Sequence, residues 1–145
     1  MNQILKGLNY LHKNNIIHRN ISAENVILLK NNGNMNVKLC GTFYMRLQTA
    51  QCNLYENPGN IGNIAPEVIN PSSEHVHYGW ESDIFSVGTL LYFMVTGDRI
   101  FDGVNQNRII ENTLKFEFNR EKCKRQLLKY SKDPDVRKHL DHMLN

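Results

Sequence analysis

The chain has 145 residues, of which 41% are hydrophobic, and it carries a formal net charge of +3 at pH 7. This composition argues against an intrinsically disordered chain and gives no basic patch intense enough to predict nucleic-acid binding. The longest apolar run, at 84–95, is too short to cross a bilayer, so we expect no contact with a membrane.

The first part of the chain predicts a helix followed by a hairpin. Apolar residues recur at helical spacing from Ile4 to Leu11, so we expect a helix that ends near 13–15. The apolar, β-branched stretches at 26–29 and 37–39 flank an Asn-Gly pair, which predicts a β-hairpin with a tight turn.

The rest of the chain predicts loops and helices. We expect a loop over 41–62 and a surface connection over 71–77. The run at 84–95 is apolar on every side, which predicts a helix buried all round. Two further helices are predicted, one at 105–114 and an amphipathic one carrying Val136, Leu140, Met143 and Leu144.

Short motifs lie between these elements. Residues 18–25 read H-R-N-I-S-A-E-N, residues 38–43 read K-L-C-G-T-F, residues 64–67 read I-A-P-E, and residues 83–88 read D-I-F-S-V-G. In the same order, protein kinases carry H-R-D-L-x-x-x-N, K-L-x-D-F-G, A-P-E and D-x-W-S-x-G. The chain therefore resembles the large, C-terminal lobe of the protein kinase family.

The resemblance implies a mainly α structure with a small β-hairpin, a kinase-like fold that comprises the C-terminal lobe only. Residues 1–145 would form this partial domain, and we expect the small lobe to be absent, because nothing resembles its glycine-rich loop or V-A-I-K lysine. Residues 100–118 look most like calcium- and calmodulin-dependent Ser/Thr kinases.

The catalytic loop of the resemblance is degenerate. His18, Arg19 and Asn25 match the family, but Asn20 replaces the Asp that accepts or orients the proton of the substrate hydroxyl. An amide cannot take a proton near neutral pH, a loss of roughly 10²–10⁴ in rate for general-base catalysis.

The magnesium-binding motif is degenerate as well. Gly41 stands where the family has the Asp of D-F-G, and Thr42 and Phe43 follow it. Ser22 replaces the Lys that Ser/Thr kinases usually carry two residues after the catalytic Asp. We therefore expect no metal and no cofactor, with ATP and Mg²⁺ bound only if the family function is retained.

Five residues match structural motifs of the family: Ala65, Pro66, Glu67, Asp83 and Gly88. The resemblance implies that Asp83 accepts backbone N–H bonds from the catalytic loop, and a simple helix cap is the alternative. Glu67 has no obvious partner. Residues 59–63 take the place of the substrate-positioning loop.

Other candidate residues have an ordinary reading beside the functional one. We interpret His18 as a packed core residue and not as a catalyst, and Asn25 alone as a poor magnesium ligand. Arg19 could receive a phosphorylated residue, with Thr49 or Tyr55 as candidates, or could make an ordinary loop contact.

Histidine and cysteine spacings add little chemistry. The pairs His75/His77 and His139/His142 could hold a metal, but chance surface pairs are the better interpretation. The three cysteines, Cys40, Cys52 and Cys123, form no C-x-x-C pair, so we interpret them as reduced thiols in a cytoplasmic chain.

Two functions follow. The first is a catalytically impaired, pseudokinase-like module that binds or scaffolds proteins; the second is a fragment of a low-activity Ser/Thr kinase whose small lobe lies outside this chain. We favour the first, because the base and the metal carboxylate are lost together at Asn20 and Gly41. The expected partner is a protein, the missing small lobe or a second copy in a homodimer.

Overall fold

The computed structural model describes residues 1–48, 59–70, 79–130 and 134. In chain order they form α1 (Asn2–Lys13), β1 (Ile16–Ile17), β2 (Val26–Asn31), β3 (Asn34–Leu39), β4 (Arg46–Leu47), α2 (Pro66–Ile69), α3 (Glu81–Thr96), α4 (Gln106–Leu114) and α5 (Arg120–Tyr130). Short 3-10 turns lie at Ala23–Asn25 and Thr42–Tyr44.

Helix α1 forms where the apolar spacing predicts it and buries one face. Ile4 and Leu8 lie one turn apart and pack against Ile21, Val87 and Leu90 in the main core cluster. Burying each such side chain contributes about 1.5–3 kcal/mol. This cluster joins α1 and α3 to the loop between β1 and β2.

The predicted hairpin is present and longer than expected. Strands β2 and β3 pair antiparallel from Val26↔Leu39 to Asn31↔Asn34. Asn32 and Gly33 connect them with φ of 47° and 80°, the left-handed pair that a two-residue hairpin turn requires.

A second small sheet lies in a region predicted to be loop. Strand β1 pairs antiparallel with β4 through Ile16↔Leu47 and Ile17↔Arg46. The prediction of an unbroken loop from residue 41 was therefore wrong at this point. Strands of two residues are too short to show the alternation from which a strand is predicted.

Helix α3 is buried on one side only, so the prediction of a helix buried all round was wrong. Asp83 and Leu90 lie in the interior, whereas Ile84, Leu91 and Met94 are 48%, 45% and 50% exposed. Apolar composition alone does not fix burial, because much of a folded protein's surface is apolar. The helix ends at Gly97, which takes a left-handed conformation with φ of 76°.

The predicted helix after α3 is confirmed as α4. Asn105 caps it, since its side-chain oxygen accepts the N–H of Arg108 at 2.9 Å. Beside α4, four aromatic side chains form one cluster: Phe85, Phe101, Phe116 and Phe118.

Several predictions fall outside the described residues. They concern the connection at 71–77, the helix at 136–144, both histidine pairs, Cys52, and the phosphorylation candidates Thr49 and Tyr55. Cys40 and Cys123 are free thiols. Within the described ranges, no helix is both long enough and apolar enough to cross a membrane.

Candidate functional site

Asp83 anchors the degenerate catalytic loop. Its Oδ2 accepts the backbone N–H of His18 at 2.9 Å, and its Oδ1 accepts that of Arg19 at 2.8 Å. The fully buried carboxylate also lies 2.8 Å from Nε2 of His12, whose ring lies 6.0 Å from that of Trp80. The two backbone bonds agree with the sequence prediction that Asp83 accepts N–H groups of this loop.

His18 is a structural link. The N–H of Asn20 donates to its Nδ1 at 3.3 Å, so Nε2 carries the proton and donates to the carbonyl of Cys40 at 3.0 Å. Burial lowers the pKa of His18, although the charge of Asp83 raises it. The neutral ring joins the catalytic loop to the end of β3.

Arg19 also reaches the chain beyond β3. Its backbone is left-handed, with φ of 67°, and its guanidinium donates to the carbonyl of Tyr44 at 3.3 Å. The residue is largely buried. This contact agrees with the interpretation of Arg19 as a residue that makes an ordinary loop contact.

The two amides of the catalytic loop face different surroundings. Nδ2 of Asn25 donates to the backbone carbonyl of Asn20 at 2.8 Å and to Oγ of Ser22 at 3.5 Å. Oδ1 of Asn20 is buried and has no hydrogen-bond partner among the described residues. This oxygen can accept a hydrogen bond but cannot act as a base near neutral pH.

A side chain at position 41 would require the Asn25 side chain to move. Gly41 is left-handed, with φ of 81°, and a Cβ added there would lie 2.6 Å from both Cγ and Oδ1 of Asn25. Thr42 and the exposed Phe43 follow in a 3-10 turn and bring no carboxylate. Mg²⁺ requires oxygen ligands in near-octahedral geometry, usually with one or two carboxylates, so these side chains do not fit it.

A segment that the sequence analysis treated only as a replaced loop covers the catalytic loop. Nδ2 of Asn60 donates to Oγ of Ser22 at 3.0 Å and to Oε2 of Glu24 at 2.9 Å. A Cβ on Gly59 would lie 3.4 Å from Oδ1 of Asn20, so the backbone of this segment lies close to that amide. Hydrogen bonds from its own backbone N–H, from Ser22 and from Asn60 lower the pKa of Glu24.

The A-P-E residues lie behind this segment. Pro66 occupies the first turn of α2, and Ala65 is buried. No salt bridge to Glu67 occurs among the residues that the structure describes. Gly88 lies within α3, where an added Cβ would meet no atom within 4 Å.

Asn63 fastens the covering segment to α3. Its backbone carbonyl accepts the hydroxyl of Ser86 at 2.6 Å, and its side-chain oxygen accepts that of Thr89 at 2.8 Å. The segment 59–64 is therefore bonded to the catalytic loop at one end and to α3 at the other. In the described part of the chain, no group of three His, Cys, Asp or Glu residues could hold a metal ion.

Comparisons with known proteins agree with this arrangement. The chain is 35% identical over 123 residues to a probable serine/threonine-protein kinase of Dictyostelium discoideum, an overlap of 82% of this chain and 17% of that protein. It is 32% identical over 120 residues to calcium-dependent protein kinase 4 of Plasmodium berghei (strain Anka), covering 81% of this chain and 22% of the relative. It is 34% identical over 104 residues to the phosphorylase b kinase gamma catalytic chain, liver/testis isoform, of Rattus norvegicus. That overlap covers 70% of this chain and 25% of the relative.

The chain thus spans 17% to 25% of the length of these three relatives. A family model described as the protein kinase domain matches residues 1–145. The helices and small antiparallel strands, with the catalytic loop anchored on Asp83, fit a kinase-like fold. Because the family model matches every residue, the chain belongs to the protein kinase domain family.

Proposed function

We propose that this chain is a catalytically impaired kinase domain, corresponding to the large lobe, that acts by binding other proteins. The observation that carries the proposal is the left-handed Gly41 beside Asn25: it brings no carboxylate, and an added Cβ would lie 2.6 Å from the Asn25 side chain, which would have to move. Phosphoryl transfer depends on positioning and on electrostatic stabilisation by metal ions, which the D-F-G carboxylate helps to hold. Gly41 has no side chain with which to hold a metal ion.

The second support comes from Asn20. Its amide replaces the base, and its Oδ1 is buried beside Gly59, where a substrate hydroxyl would have to approach. Loss of the base alone would slow the reaction by roughly 10²–10⁴. Loss of the base together with the metal carboxylate favours a binding role over a slow enzyme.

A low-activity Ser/Thr kinase is the alternative. It is favoured by the retained His18, Arg19 and Asp83 frame, and by relatives that are named as kinases, one of them calcium-dependent. In that case the ATP-binding small lobe would be supplied from outside this chain. The proposed partner under either function is a protein, and the proposed location is the cytoplasm.

Isothermal titration of the chain with ATP and Mg²⁺ tests the proposal. We expect no measurable heat of binding, and no phosphorylation of peptide substrates by the chain or by the double variant Asn20→Asp, Gly41→Asp. Micromolar binding of ATP with Mg²⁺ would contradict the proposed function and support the kinase alternative.

A further inference from the structure

The β2–β3 hairpin has two edges, and the turn fixes which backbone groups they present. In a two-residue hairpin the residues that flank the turn, here Asn31 and Asn34, form a hydrogen-bonded pair, and bonded and non-bonded pairs then alternate. The N–H and C=O groups of Leu28 and Lys30 therefore point away from β3.

Two observed bonds agree with this alternation. The N–H of Cys40 donates to the carbonyl of Asn25 at 2.9 Å, which continues the series of bonded pairs. On β3, Val37 lies opposite Leu28 and Met35 lies opposite Lys30. The N–H of Val37 and the carbonyl of Met35 bond the side chain of Gln3. The outward direction at Leu28 and Lys30 thus rests on bonds seen at both ends of the ladder.

The edge of β3 is already covered. Nε2 of Gln3 donates to the carbonyl of Met35 at 3.0 Å, and its Oε1 accepts the N–H of Val37 at 2.7 Å. One carboxamide therefore bonds two outward backbone groups, as a residue of a third strand would. A further strand cannot pair at this point without displacing Gln3.

The edge of β2 is apolar, and no strand among the described residues pairs with it. Ile27, Leu28 and Leu29 are 44%, 63% and 42% exposed. A strand edge that presents unpaired N–H and C=O groups beside exposed apolar side chains is a template for pairing with another strand. The backbone chemistry of this edge therefore selects an extended strand as its occupant.

We propose that β2 pairs antiparallel with β2 of a second copy of this chain, about a two-fold axis at Leu28. Leu28 then faces its own equivalent, and Ile27 faces Leu29 of the second copy. Lys30, the one charged residue of β2, faces Val26 and not another lysine. Apolar side chains thus meet apolar ones, and no like charges are opposed.

The hydrogen bonds of this pairing use the backbone N–H and C=O groups of β2 that point away from β3. The N–H of Leu28 donates to the carbonyl of Leu28 in the second copy, and the N–H of Lys30 donates to the carbonyl of Val26, each in both directions. The N–H of Val26 takes no part, because it already bonds the carbonyl of Ala23. The result is a four-stranded sheet with an isologous interface.

Helix α1, through Gln3, limits the assembly to two copies. The outer strand of the four-stranded sheet would be β3 at both ends, and on each β3 the Gln3 carboxamide occupies the outward groups of Met35 and Val37. The assembly is therefore a closed dimer and not a filament. This inference goes beyond the proposed function, because it uses none of the residues of the catalytic loop.

Sedimentation equilibrium of the full chain and of Leu28→Pro tests the proposal. Proline removes an outward N–H without touching the β2–β3 ladder, and it is tolerated at sheet edges. We expect a dimer whose dissociation constant rises at least about tenfold in the variant, equivalent to 1.4 kcal/mol. Met35→Pro is the matched control, because it removes an outward N–H from the other edge and should leave dimerisation unchanged.

Two further variants keep the test decisive. If circular dichroism shows that Leu28→Pro has unfolded, Leu28→Lys replaces it, since it retains the N–H but opposes two lysines across the axis. Gln3→Ala should leave the dimer unchanged, because helix α1 still packs beside β3 and covers this edge. A monomer at the highest soluble concentration, or equal weakening by Leu28→Pro and Met35→Pro, would overturn the proposal without bearing on the ATP titration.

Discussion

Nδ2 of Asn25 donates to the backbone carbonyl of Asn20 at 2.8 Å, so the two amides of the degenerate catalytic loop are tied to each other. In this position the Asn25 side chain also fills the space beside Gly41. Asn25 therefore contacts both positions at which the family has an Asp, Asn20 through its backbone and Gly41 through packing. Restoring either residue alone leaves the other obstacle in place.

We predict that Gly41→Ala destabilises the chain more than Gly33→Ala does. Both glycines have nearly the same φ, 81° and 80°, but an added Cβ meets Asn25 at position 41 and nothing within 4 Å at position 33. The Gly33 variant therefore measures the left-handed strain alone, about 1–2 kcal/mol. Urea denaturation gives both values, and a double variant with Asn25→Ala should recover the excess. Equal losses at the two glycines would mean that Asn25 moves aside freely.

Asp83→Ala should lower the free energy of unfolding by about 1–3 kcal/mol, because the N–H groups of His18 and Arg19 would be left buried without an acceptor. The exposed Lys6 supplies the control, and Lys6→Ala should change stability by less than about 0.5 kcal/mol. Chemical denaturation measures both. An unchanged midpoint for Asp83→Ala would show that this carboxylate is not needed to hold the loop.

The stability of the chain should fall as the pH drops below the ordinary histidine range. Burial lowers the pKa of His18 from 6.5, so between the folded pKa and 6.5 the unfolded chain binds the extra proton and acid favours unfolding. One such group contributes at most about 1.4 kcal/mol per pH unit. Denaturation of the chain and of His18→Gln at a series of pH values checks this. A slope that survives the substitution would assign the effect to another group.

Glu24 should contribute a separate loss of stability at lower pH. Its folded pKa is lowered from 4.5, so its contribution is present above 4.5 and disappears as the pH falls through the folded value. Asn60→Ala removes one of the causes and should make this loss smaller. Denaturation midpoints measured from pH 5 downwards would show it. If stability depends on pH in the same way in the Asn60 variant, the hydrogen bond from Asn60 does not lower the pKa of Glu24.

Asn60→Ala should also loosen the segment that covers the catalytic loop. Removing bonds to Ser22 and Glu24 should cost about 0.5–1.5 kcal/mol and speed amide exchange at 59–64. Asn36→Ala, in the exposed part of β3, is the control and should leave that exchange unchanged. Unchanged protection at 59–64 in the Asn60 variant would mean that Asn63 alone holds the segment.

The parts predicted from sequence are those carried by fixed spacing. The first helix follows from Ile4 and Leu8, the hairpin from its Asn-Gly turn, and the Asp83 anchor from motif order. Each of these signals lies within a few neighbouring residues or in a known series of motifs, so the sequence displays it directly.

The parts that sequence reasoning missed depend on distant contacts. Asn60 donates a hydrogen bond to Ser22 across a separation of 38 residues. The one signal for this bond in the sequence is that Ser22 replaces the lysine of the family. Gln3 reaches β3 across a separation of 34 residues, and an exposed glutamine in a helix gives no sign of this. The exposed side of α3 was missed because apolar composition does not tell which neighbours a helix has.

The chain has one tryptophan, and Trp80 lies beside His12, which in turn contacts Asp83. The indole is therefore a built-in optical probe at the point where the catalytic loop is fixed to α3. Its emission can follow release of that anchor directly, without a dye or an introduced label. The same signal would separate local opening of this corner from melting of the whole chain, which far-ultraviolet dichroism records.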